Sequence, residues 1–168
     1  IVSLEVRGES KSFGRVTIQA GVRQRLFRPS FGQIEELQIG TTFPADSFFN
    51  VFVRLIASGG PATGGRPVVA INPAPARMAA IIHEIPPLRT PYKERNVTFI
   101  SVSDINRDGI VDIQDFVLVA RSFGQPIPSP PPDPNPDVNE DDKVDITDLV
   151  SVAQHFGERI KITAQKII

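Results

Sequence analysis

Cysteine and tryptophan are absent from this chain of 168 residues, and tyrosine and methionine occur once each. Without Cys, neither a disulfide nor a thiolate metal site can stabilise the fold. The absence does not assign a reducing compartment, because exported bacterial proteins often lack Cys as well. With no Trp and a single Tyr (Tyr92), the composition is poor in the rings that stack on sugars. No stretch approaches the ~18 consecutive apolar residues of a membrane-spanning helix. No signal peptide is visible, and the start at Ile1 without Met reads as a processed mature end or a trimmed chain.

What is present begins with charge. The net charge of −1 conceals an asymmetry: residues 1–100 carry 12 Lys/Arg against 7 Asp/Glu, and residues 101–168 carry 6 against 12. The basic half spreads its arginines (Arg7, Arg15, Arg23, Arg25, Arg28, Arg54) over separate segments with no aromatic-basic cluster, which argues against nucleic acid. The acidic half has the character that hard-cation sites need. An apolar share of 40% suffices for a core, in one large or two small domains.

Residues 1–103 read as an antiparallel β-sandwich. Val2, Leu4 and Val6 alternate with Ser3, Glu5 and Arg7, and Val16, Ile18 and Ala20 alternate with Arg15, Thr17 and Gln19. Phe48–Ile56, apolar on both faces, reads as one central strand. Further strands are expected over Glu36–Thr41, Pro67–Ile71, Met78–Ile85 and Asn96–Ser103, separated by Gly- and Pro-rich turns. From Gln125 to Pro136, seven of twelve residues are Pro, which predicts a stiff extended spacer. After Gly157, residues 158–168 return to alternation as a final strand.

Residues 104–157 hold the most specific pattern. Asp104–Gly124 reads DINRDGIVDIQDFVLVARSFG, and 33 residues on the chain reads DVNEDDKVDITDLVSVAQHFG, with 12 of 21 positions identical. A twelve-residue calcium loop offers oxygens at positions 1, 3, 5, 9 and 12 and a backbone carbonyl at 7. The first copy supplies Asp104, Asn106, Asp108, the carbonyl of Ile110, Asp112 and Asp115; the second supplies Asp137, Asn139, Asp141, the carbonyl of Lys143, Asp145 and Asp148. Two bound Ca²⁺ ions are therefore expected. Gly109 serves the sharp turn, and Asp142 replaces it in the second copy, which should be weaker or more strained. A helix follows each loop. Phe116, Val117, Ala120 and Phe123 in one, and Leu149, Val150, Ala153 and Phe156 in the other, are expected to form facing apolar sides, with Gly124 and Gly157 as C′ stops.

These residues resemble dockerin type I modules, whose pattern D-x-N-x-D-G-x-[IV]-D-x-x-D with Asp at the last loop position reads here as DINRDGIVDIQD and DVNEDDKVDITD. The resemblance implies a secreted prokaryotic protein with two structural Ca²⁺ ions and a non-catalytic docking role toward a cohesin. The partner-reading pair, often Ser-Thr, is here Ile113-Gln114 and Ile146-Thr147. The fold expectation is thus mainly β with a small α part: a sandwich plus a dockerin-like pair of loop-helix units.

Three functions fit this reading. The first is an extracellular assembly protein that docks to a cohesin-like partner. The second is a self-assembling filament or sheath subunit, donating a terminal strand to its neighbour, with acidic and basic halves meeting head to tail. The third is a fragment of a polysaccharide-degrading enzyme, for which Glu5, Glu9, Glu35, Glu36, Asp46, Glu84 and Glu94 are the available carboxylates. None of these lies in a recognisable motif, so no enzymatic activity is expected. His83 beside Glu84, His155 on the outer face of the second helix and the Asn96 sequon read as surface features.

Overall fold

A computed structural model of the chain describes residues 3–21, 30–88, 90–94, 97–128, 132 and 134–164. Arg23, Arg25, Arg28, the Asn96 sequon, part of the proline run and the last four residues lie outside them.

The chain is mainly β, with two sheets and two helices among the described residues. Among the described residues, one sheet has six strands: β1 (Leu4–Ser10), β2 (Gly14–Ala20), β5 (Val53–Ala57), β6 (Val68–Ile71), β9 (Val97–Ser101) and β10 (Lys161–Ala164), adjacent in that order. The other orders β3 (Phe31–Glu36), β4 (Ala45–Val51), β7 (Ala76–Ile82) and β8 (Lys93–Glu94). All pairings are antiparallel. The β1–β2 hairpin turns tightly at Gly14, whose φ is +71° and where a Cβ would meet the Gly59 carbonyl oxygen at 2.4 Å. Only glycine fits there.

The run Phe48–Ile56 is not one strand. It breaks at Phe52, so that β4 lies in one sheet and β5 in the other. The partner ribbon bends at the same place, between β6 and β7, and Asn72 holds both bends. Its side chain is buried, accepts from the Val53 N–H at 2.7 Å, and donates to the carbonyls of Val51 and Ala74 at 2.9 and 3.0 Å. Strands that switch sheets through a bend are one way a sandwich closes its corner. The expected strand at Glu36–Thr41 is also corrected. The strand is Phe31–Glu36, and the following residues turn, with Thr41 N–H donating to Gln38 and Gly40 at φ +83°.

Ala57, Val68, Ala70, Val97 and Phe99 form the core on one face of the six-stranded sheet, with Phe13, Val16, Val53, Leu55, Ala76, Ile160 and Ile162 packed around them. Val53, Leu55, Ala70 and Phe99 point inward, so the cross-strand row Arg54–Ile71–Ile100 must point outward. Yet Ile71 and Ile100 are buried. On that face Ile71 shares a small cavity with Val102, Ile105 and Pro134, from the segment that leaves the sheet at Ser101 and returns at Lys161, beside the strand it left. The loop-helix pair is an excursion between two neighbouring strands.

Candidate metal centre

Helices α1 (Ile113–Arg121) and α2 (Ile146–Gln154) follow the two acidic loops. Both start the same way. Asp112 and Asp145 are extended N-cap residues whose carboxylates accept from the N–H of Gln114 at 2.7 Å and Thr147 at 2.8 Å. Asp115 and Asp148 complete capping boxes by accepting from the N–H groups of Asp112 and Asp145 at 2.8 and 2.9 Å. A fully buried carboxylate in the first turn also meets the positive end of the helix dipole.

The apolar faces differ from the expected ones. Val119 and Val152 are fully buried, and together with Ile105, Val111, Val138 and Val144 they make the module core, with Phe116 and Leu149 partly buried against it. Val117, Phe123, Val150 and Phe156 are exposed instead. Val117 and Val150 lie two residues, about 200°, from the buried Val119 and Val152, on the opposite side of each helix. The helices stop at Arg121 and Gln154 with Ser122 and His155 as C-caps, so Phe123 and Phe156 lie beyond the helical phase. Gly124 and Gly157, at φ +73° and +83°, come two residues after the caps. Their N–H groups cross to the opposite repeat, Gly124 to the Val144 carbonyl at 2.8 Å and Gly157 to that of Val111 at 2.7 Å. The start of the proline run is part of the same unit rather than a spacer: Pro126 bridges to Lys143, and Ile127 packs on the core.

Each loop is wound around its own carboxylates. In the first, Asp104 accepts from Gly109 N–H at 3.0 Å, Asn106 from Asp108 N–H at 2.9 Å, Asp108 from Ile110 N–H at 3.0 Å, and Asp115 from Asn106 N–H at 3.0 Å. The second repeats this with Asp137 accepting from Asp142 N–H at 2.9 Å, Asn139 from Asp141 N–H at 3.1 Å, Asp141 from Lys143 N–H at 3.1 Å, and Asp148 from Asn139 N–H at 3.2 Å. All twelve expected positions therefore lie in two equivalent turns. Gly109 and Asp142 both have positive φ, +96° and +72°, as their shared role in the sharp turn requires. Arg107 and Glu140, also equivalent, are left-handed at +64° and +60°, which the sequence pattern did not reveal.

The residues fit a hard cation. Asp104 is buried, and its Oδ1 has no hydrogen-bond partner. Burial pushes its carboxyl up to about 6, against the Gly109 N–H, and the nearby charges of Asp115 and Asp108 push the same way. Burial raises Asp137 too. Asp145, at the surface, is lowered by the Thr147 hydroxyl and N–H. Among the described residues no three carboxylate or imidazole groups converge as a ready-made cluster. A loop of this type also draws on Asn and carbonyl oxygens, and all of these are hard ligands. His83 and Glu84 are exposed beyond the end of β7. His155 is half-buried past α2, where its Nδ1 lies 2.6 Å from the Ser151 carbonyl and 3.4 Å from the Ser103 hydroxyl.

This geometry defines a class: two repeated acidic loops, each opening into a capped helix, closed into one core by crossed backbone bonds. Comparison with known families narrows it. Residues 102–157 match the dockerin type I domain, so the chain carries a dockerin type I module, a kind of module that binds calcium and docks to a protein partner. The match does not extend into strands β1–β9. Neither the curated proteins nor the solved structures contain a match to the chain.

Proposed function

We propose that the chain is a secreted, non-catalytic assembly protein whose module binds two Ca²⁺ ions and presents a docking face to a cohesin-like partner. Asp104, Asn106, Asp108, the Ile110 carbonyl, Asp112 and Asp115 would hold one ion. Asp137, Asn139, Asp141, the Lys143 carbonyl, Asp145 and Asp148 would hold the other. Bound calcium would offset part of each loop's negative charge and keep it wound.

One observation carries the docking reading. Ile113, Val117 and Phe123 are 59%, 39% and 48% exposed, and their equivalents Ile146, Val150 and Phe156 are 61%, 46% and 50% exposed. Apolar side chains left in water at matching places in both repeats are poor for a free monomer and suited to an interface. Extracellular modules of this family are typical of bacteria, and no helix among the described residues is long and apolar enough to cross a membrane. A pull-down with a cohesin domain tests the reading. Capture that is lost in EDTA supports it, and the absence of capture across a panel of cohesins removes the docking claim.

A second reading, self-assembly, has its own support. Strands β1 and β10 form opposite edges of the six-stranded sheet and run antiparallel to each other. A second copy in the same orientation would continue the antiparallel pattern by edge pairing. Both terminal strands are already paired inside the chain, so edge addition replaces outright strand donation. Sedimentation that shows only monomers at high concentration with Ca²⁺ would remove it.

A further inference from the structure

Arg54 lies on β5 in the outward row with Ile71 and Ile100. An arginine on the outer face of a sheet normally reaches water, but here its side chain is 17% exposed. It forms an ion pair with Glu140, whose side chain is 12% exposed. Glu140 is the fourth residue of the second loop, between the expected ligands Asn139 and Asp141, and its backbone is left-handed. The equivalent residue in the first loop is Arg107, with the opposite charge. Only the second loop can therefore make this contact with Arg54. Glu140 also lines one small cavity with Ile71 of β6, with Arg107 of the first loop, and with Asp104 and Asp137, the first ligand position of each loop.

We infer that Arg54 is a positioning residue for the second calcium loop, coupling the winding of that loop to the six-stranded sheet. The inference rests on the calcium reading above. A left-handed, acidic residue wedged between two ligands is held in place by a guanidinium on a rigid strand, so the loop is partly wound before any ion arrives. The second loop has the greater need of this support, because it carries Asp142 where the first has Gly109. Coupling is reciprocal: if the sheet helps to wind the loop, an ion in the loop must in turn order the sheet.

Calorimetric titration of the full chain with Ca²⁺ tests this in wild type, Arg54→Met, Glu140→Gln and the double variant. The expected result is that each single variant weakens one of two sites by roughly tenfold, leaves the other nearly unchanged, and that the double variant is no worse than either single. If Arg54 merely repelled the ion, Arg54→Met would tighten binding, and that outcome overturns the inference. Equal affinities in all four proteins overturn it as well. No Ca²⁺ uptake by the wild type would instead refute the underlying calcium reading. Hydrogen exchange of the wild type alone gives a second test that needs no variant to fold. Calcium should slow exchange in Val53–Ala57 and Val68–Ile71, and protection confined to residues 102–157 would overturn the coupling.

Discussion

The backbone N–H of Gly157 donates to the Val111 carbonyl at 2.7 Å, joining the turn after the second helix to the first acidic loop. Gly124 makes the matching bond to Val144. Each loop is therefore closed by the end of the other repeat, and neither repeat makes a complete unit alone. Gly157 sits at φ +83° with nothing within 4 Å of where a Cβ would lie, so a side chain there costs backbone strain and no clash. Gly157→Ala should lower stability by about 1–2 kcal/mol, measured by thermal denaturation in saturating Ca²⁺. An unchanged melting temperature would mean that the crossed bond does not need the left-handed backbone.

Asn72 makes a comparable claim for the sandwich. Replacing it with Leu strands the Val53 N–H and the carbonyls of Val51 and Ala74 at the shared bend. The cost should be about 2–4 kcal/mol, read by urea denaturation.

The two repeats were legible in the sequence because a calcium loop and its capped helix are local. Asp104 to Asp115 and Asp137 to Asp148 lie in the expected turns, and Gly109 and Asp142 share the left-handed geometry that their spacing demands. The facing of the helices was less legible. Val117 and Phe123 look apolar and periodic, but the helices end before Phe123 and Phe156, and the inward face is the one that carries Asp115 with Val119 and Asp148 with Val152. Phe48–Ile56 reads as continuous because its composition is uniform, and the bend at Phe52 is held by Asn72, in the link between β6 and β7. The Arg54–Glu140 pair joins residues far apart in sequence, and no local signal announces it.

The metal-free protein should be more stable at about pH 5 than at about pH 7.5 with respect to its buried loop carboxylates. Asp104 is raised from 3.8 to about 6 by burial, so between those values the folded chain keeps a proton that the unfolded chain has released. That contribution is fully present below the unfolded value and is lost as pH rises through about 6. The upward shift of Asp137 has the same sign. With Ca²⁺ the trend should reverse, because protons compete with the ion for these oxygens. Melting curves in EDTA and in excess Ca²⁺ at the two pH values give the comparison.

If the two exposed stripes are equivalent docking faces, Ile113→Asp or Ile146→Asp alone should leave partner binding within a few-fold. The double variant should lose roughly thirtyfold or more. Both side chains are exposed, so melting temperatures should barely move. Loss of binding in one single variant alone would show that only one face is used.

The most direct test of the whole account is calorimetric titration of the full chain with Ca²⁺ near neutral pH. The account predicts two ions per chain, with Asp104→Asn and Asp137→Asn each leaving one. No uptake, or uptake that neither substitution changes, would contradict it.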